Sequence, residues 1–223
     1  MTVPAAEPDV PATDSDTATG TDSDVRLRLV EALAATVAEK GYAATTIADI
    51  VARAHVSRRT FYEQFSDKYA CLVACHEIVG SRMLGAIEIA SNESADPAGL
   101  IERSARALLH ALAAQPNLTY THFVAMHANG PASVPRREVQ DRLAKKLQEI
   151  ATRVQTVNRQ VVVPSDALAT AVVGGIAELI VRSVEHDEDL ESIAPTVTEL
   201  VSGVLVRGRR TERPARSQRP ESA

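Results

Sequence analysis

The chain has no tryptophan, four tyrosines and three phenylalanines among 223 residues, so any aromatic cluster in it stands out. It has two cysteines, Cys71 and Cys75. A disulfide-stapled secreted scaffold needs more, at other spacings. Four residues apart on a predicted helix, the two share one face, where small buried residues are a simpler reading than a redox switch. Residues 1–23 contain no lysine or arginine, and the opening MTVPAAEPDV lacks the basic and apolar regions of a signal peptide. The longest apolar stretch, 167–180, is interrupted by Glu178 and followed by Arg182; it reads as too short and too charged to span a bilayer. A cytoplasmic protein without membrane contact is expected. No G-x-S-x-G, H-E-x-x-H or Gly-rich phosphate loop occurs, so neither an enzyme nor a cofactor is expected. His110, His122 and His127 lack tight ligand spacing, so no metal is expected.

What is present is aliphatic and helical in character. Hydrophobic residues make up 45% of the chain, mostly Ala, Val, Leu and Ile. The net charge of -5 gives no bulk support to nucleic-acid binding, but it is unevenly spread: residues 207–219 hold six arginines against Glu212 alone. Apolar periodicity predicts nine helices and an all-α fold. Asp24 caps the first, over residues 24–40, with Leu29, Val30, Leu33, Ala34 and Val37 inward and Gly41 as its stop. Thr45 or Thr46 caps the second, whose Ile47, Ile50, Val51 and Ala54 form one stripe. Ser57 caps the third, ending near Phe65, and Ser66 the fourth, 67–91. Further helices are expected over 97–115, 118–128, a long amphipathic stretch carrying Val139, Leu143, Leu147, Ile150, Val154 and Val157, then 166–185 and 195–206.

The third helix concentrates the chemistry. On a helical wheel Phe61 and Phe65 share one face, pointing inward with Val56, while Arg59 lies opposite, flanked by Thr60 and Tyr62. A guanidinium can donate two parallel hydrogen bonds to guanine O6 and N7, and hydroxyls can fix register on phosphates. The short breaks match a helix-turn-helix, whose second helix enters the major groove. Glu63 on the outer face can pair with Arg59 at i, i+4 or accept from cytosine N4.

Gly41-Tyr42-x-x-Thr45-Thr46-Ile47-x-x-Ile50, followed by Ala54-His55-Val56-Ser57-Arg58-x-Thr60-Phe61-Tyr62-x-x-Phe65-x-x-Lys68, resembles the N-terminal domain of the tetracycline-repressor (TetR/AcrR) family. The resemblance implies a homodimeric regulator that binds a palindromic operator as double-stranded DNA and releases it when a small-molecule effector enters the larger domain. It implies base or backbone contacts by Arg58, Arg59 and Thr60, phosphate contacts by Tyr62 and Lys68, and Thr46 as a capping residue near the backbone, with Ser57 and His55 completing the DNA-binding set. His55 stands where the family most often has glycine, and Ala48 where some members have a basic contact. The domain reading is 1–23 disordered and acidic, 24–70 DNA-binding, 71–206 ligand-binding and dimerising, and 207–223 an Arg-rich disordered tail that either adds nonspecific DNA affinity or is inert. The aromatic and Met cluster Tyr120, Phe123, Met126 and His127, with Cys75 and His110, marks a candidate ligand pocket. The helix over 166–185 is apolar nearly all round and must be buried on every side. A dimer interface is therefore expected at Val173, Gly174, Ile176, Ala177, Ile180, Leu200 and Val204. A DNA-bound adaptor that recruits a protein partner without an effector is the alternative reading.

Overall fold

A computed structural model describes residues 15–92, 97–125 and 133–206. Among the described residues there are nine α-helices and no strand: α1 (Ser15–Ala44), α2 (Ile47–Ala54), α3 (Arg58–Gln64), α4 (Lys68–Asn92), α5 (Pro97–Ala113), α6 (Pro116–Phe123), α7 (Ser133–Gln155), α8 (Asp166–Glu185) and α9 (Ala194–Leu205), with a 3₁₀ turn, Leu190–Ile193, before α9. The chain divides into two compact units, the first ending at Cys75 and the second starting at His76. The boundary thus falls inside α4, slightly beyond the expected residue 70. The tail 207–223 and residues 1–14 lie outside the described residues. α1 begins at Ser15, within the segment expected to be disordered. Asp22 there accepts a hydrogen bond from Gln64 Nε2 of α3, a tertiary contact that composition does not reveal.

In the first unit, α1 buries Leu29, Val30, Leu33, Ala34 and Val37 completely. Its regular course stops at Gly41, where φ is +79° and ψ 158°, a left-handed conformation that glycine adopts without Cβ strain. Thr46 caps α2 in a full capping box with Asp49, and Ile50, Val51 and Ala54 go inward. His55 ends α2 in the left-handed region, φ 53°, a conformation His tolerates better than most residues. Ser57 caps α3. The cap of α4 is Asp67, whose carboxylate accepts from Ala70 N at 2.7 Å, rather than Ser66.

In the second unit α7 packs on α8 and α5 on α9. After α7 the chain runs back to the end of α9, where Val162 N donates to Leu205 O at 2.7 Å and Val161 bridges Val206. α7 ends at Gln155, so Val157, expected on its buried stripe, is 71% exposed. α4 and α8 are both long and apolar enough to cross a membrane by length and composition, so α8 is longer than the apolar stretch suggested. α8 is nevertheless two-faced: Val172, Val173 and Ile180 are buried, whereas Leu168 is 42% exposed and a Cβ on Gly174 would meet open space.

Gly80 is where α4 meets α7: a Cβ there would lie 2.9 Å from Val139 Cγ2 and 3.1 Å from Val139 Cγ1. A valine has no flexible end to move aside. Gly80→Ala is therefore expected to destabilise the protein by about 1–2 kcal/mol, overpacking outweighing the gain in helix propensity. Urea denaturation checks this; a variant more stable than the parent would show that the two helices part easily.

Candidate nucleic-acid interface and effector cavity

α3 has only seven residues, too few to persist as an isolated helix. It is held from behind. Phe61 is fully buried and Phe65 nearly so, their ring centroids 5.7 Å apart. Arg26 of α1 lies over the Phe65 ring at 4.4 Å and donates to Gln64 O at 3.0 Å, so α1 grips the end of α3. The sequence reading missed this clamp, because nothing local pairs Arg26 with residues 64 and 65.

The opposite side of α3 carries the polar groups. Arg58 and Arg59 are exposed, with 89% of the Arg59 side chain accessible. Arg59 Nε donates to Glu63 Oε1 at 2.9 Å, which favours ion pairing for Glu63. That bond uses the inner nitrogen and leaves the two terminal nitrogens, the pair that spans guanine O6 and N7. Ser57 Oγ accepts from Thr60 N at 3.0 Å and lies 2.9 Å from Thr60 Oγ1. One hydroxyl proton joins those two oxygens, so the other can donate outward. Tyr62 packs edge-on against Phe61 at 5.6 Å while remaining 58% exposed. His55 is exposed at the turn.

Thr46 and Lys68 both make bonds within the protein. The Thr46 hydroxyl donates to Asp49 Oδ2 at 2.6 Å and accepts from Asp49 N at 3.3 Å, which commits it to capping. Hydrogen bonding from Lys40, then from Thr46, holds the Asp49 carboxyl well below the usual carboxylate range. Lys68 Nζ donates to Tyr42 O at 2.8 Å and Thr45 O at 2.6 Å and lies 4.2 Å from the Tyr42 ring centroid. Two of its three N–H groups thus stitch the loop after α1 to the start of α4, and desolvation lowers its pKa. These bonds give it a structural role. Cys71 is fully buried, its thiol donating to Leu29 O at 3.8 Å. Burial, reinforced by Cys75, pushes that thiol far above its ordinary range, so it packs as a neutral group.

The second unit encloses an apolar cavity with about 130 Å³ available to the centres of water-sized molecules. One water needs roughly 10–15 Å³ by that measure, so the space is large. Residues from α4 to α9 line it, among them Met83, Leu108, Phe123, Leu147 and Ile180, with polar groups from Ser104, His122, Arg136, Gln140 and Lys146. Of the expected pocket residues only Phe123 lines it. Cys75 is buried in the first unit. His110 is exposed and 2.8 Å from Glu191, and Tyr120 is half-buried away from the lining. Met126 and His127 lie outside the described residues. Of the residues expected at a dimer interface, Val173, Ile176, Ala177 and Ile180 line this cavity. Leu200 packs 3.4 Å from the Cβ position of Gly175, while Gly174 faces outward and Val204 is half-buried. The cavity is what α8 turns its larger side chains toward.

His122, which the sequence reading assigned no site role, forms the most unusual contact in the unit. Its Nδ1 lies 2.7 Å from His76 Nδ1, the rings 4.6 Å apart, and both residues are buried. Burial, with the Arg136 charge adding, pulls His76 down to about 4. Burial, then His76 and Arg136, lowers His122 well below its ordinary value. Both imidazoles are neutral near pH 7.

A short helical unit with a braced, cation-bearing third helix and a larger helical unit with its own cavity make up the architecture of a helix-turn-helix protein. A profile described as bacterial regulatory proteins, tetR family, matches residues 29–75. Those residues match the tetR-family profile, and the chain as a whole shares its fold with TetR-family regulators. The fatty acid degradation regulator FadR from Bacillus halodurans superposes with a TM-score of 0.72 at 20% identity, over 82% of this chain and 97% of that one. FadR from Bacillus subtilis, in complex with stearoyl-CoA, gives 0.68 at 22% identity over 80% and 98%. A TetR-family regulator from Syntrophomonas wolfei gives 0.71 at 20% identity over 84% and 100%. No curated protein matches the sequence significantly.

Proposed function

We propose that this protein is a homodimeric, cytoplasmic, ligand-responsive transcriptional repressor that binds a palindromic operator through α3. The observation that carries the reading is the two-sidedness of α3: Phe61 wholly buried, and the Arg59 guanidinium exposed with both terminal nitrogens unspent. Arg58, Arg59 and Thr60 address the groove, and Tyr62 with the Ser57–Thr60 hydroxyl pair addresses phosphates. Two copies read half-sites about one helical turn apart, roughly 34–36 Å. The outward face of α8 that carries the exposed Ala167 and Ala171 together with Gly174 supports pairing of two subunits there, since small residues and a bare Cβ position permit close helix approach. The cavity supports an effector rather than a protein-recruiting adaptor, and the stearoyl-CoA complex of the B. subtilis protein suggests an acyl-chain ligand for it. Effector binding then favours a half-site spacing that the operator does not fit.

Arg59→Ala is expected to weaken operator binding by about 10- to 100-fold, from loss of a bidentate base contact worth roughly 1–3 kcal/mol, and to relax preference at one base pair. Lys68→Met is expected to act first on stability, by about 1–3 kcal/mol, because two carbonyls lose a charged donor. Gel shift against an operator selected from random duplexes, beside urea melts, separates the two. Wild-type affinity and selectivity in Arg59→Ala would refute the DNA-reading assignment.

A further inference from the structure

The cavity wall holds a hydrogen-bonding device whose polarity follows from the two histidines. The contact between His76 Nδ1 and His122 Nδ1 at 2.7 Å carries one proton, so one ring donates and the other accepts. His76 Nε2 is buried and has no partner. Were His122 the Nδ1 donor, neutral His76 would carry its proton on Nε2, leaving a buried N–H unpaired. Were His76 the Nδ1 donor, its Nε2 would be a bare acceptor. Buried unpaired N–H groups are rarer than under-used acceptors, so the second arrangement prevails. His122, accepting at Nδ1, then keeps its proton on Nε2. His122 lines the cavity, and with Nδ1 committed to His76, Nε2–H is its remaining polar group.

We propose that His122, fixed in the Nε2–H tautomer by His76, is the donor through which the cavity recognises its ligand, and that the ligand therefore carries an acceptor oxygen, a carboxylate or an acyl carbonyl, on an otherwise apolar chain. The inference rests on the cavity being the effector site. Arg136, also on the lining, favours the anionic form of such a headgroup. The lowered pKa values of both rings are consistent with a neutral donor, which an acyl carbonyl satisfies without a charge. His76 belongs to α4, the helix that starts at Lys68, so a ligand that polarises His122 also acts on a side chain of that helix.

The test uses the full chain with ¹⁵N-labelled histidine and dodecanoate, methyl dodecanoate and dodecylamine as probes. Long-range ¹⁵N–¹H spectra at pH 7.5 are expected to show His122 protonated at Nε2 and His76 at Nδ1, with the His122 Nε2 signal shifting on addition of dodecanoate. Calorimetry is expected to show dodecanoate and the methyl ester binding at least tenfold more tightly than the amine. His122→Phe, checked for folding by circular dichroism, is expected to bind dodecanoate at least tenfold more weakly, the loss of a charge-assisted hydrogen bond. The opposite tautomer in the wild-type spectrum overturns the inference whether or not the variant folds. Unchanged dodecanoate affinity in folded His122→Phe also overturns it and leaves the effector cavity standing. Absence of binding by both acyl probes to the wild-type protein removes the effector reading itself, and this inference with it.

Discussion

Phe61→Ala is expected to lower stability by about 3–5 kcal/mol, the usual cost of truncating a buried phenylalanine, and to abolish operator binding. The ring is completely buried. It touches Tyr62 on one side and Phe65 on the other, with centroids 5.6 and 5.7 Å away. A helix of seven residues draws its order from packing rather than from its own hydrogen bonds, so removal of this ring takes away what orients Arg58, Arg59 and Thr60. Tyr62→Ala is the control. That ring is 58% exposed, and its loss should cost about 1 kcal/mol, mostly the edge-on aromatic contact. Denaturant melts with quantitative DNA titration in parallel read both effects. Equal stability losses for the two variants would show that Phe61 is not the brace.

Acidification is expected to produce the second large effect. His76 has its pKa lowered from 6.5 to about 4 in the folded protein, and that of His122 is lowered well below its ordinary value by burial. The unfolded chain therefore binds more protons than the folded chain once the pH drops below about 6.5. Stability is full above that value and is lost as pH falls toward 4. For His76 alone the shift corresponds to roughly 3 kcal/mol, at 1.36 kcal/mol per pKa unit, a large share of the 5–15 kcal/mol typical of a folded domain. The carboxylates with depressed values, Asp49 and Glu88, add their loss as pH falls below about 5, so the window from 6.5 to about 5 isolates the histidines. Urea midpoints across that window should decline steadily, and a His76→Phe/His122→Phe double variant should flatten the decline. A wild-type profile flat over the same range would mean that the pair titrates normally.

The pieces of the reading helix were legible because they are local. Gly41, the Thr46 capping box, His55 in a left-handed turn and Ser57 before α3 are short-range signals. The four-residue spacing of Phe61 and Phe65 fixes which face of α3 goes inward, whatever it packs on. The structural role of Lys68 was not legible because its partners, the carbonyls of Tyr42 and Thr45, lie more than twenty residues back. A lysine beside a reading helix looks the same in sequence whether its ammonium faces phosphate or backbone.

The second unit was harder for a specific reason. A helix apolar on nearly every side carries no directional signal, so the sequence of α8 could not tell a cavity wall from a dimer seam. Tertiary packing turns Val173, Ile176, Ala177 and Ile180 toward the cavity and leaves Leu168 and Gly174 outside. His122 was equally silent, because its partner is 46 residues away on another helix. The amino-acid sequence by itself determined an all-helical chain with a short third helix braced on one face and polar on the other, since periodicity and caps act within a turn or two. The tertiary structure alone decided where the cavity lies and which polar groups reach it, since those depend on helices distant in the chain meeting side by side.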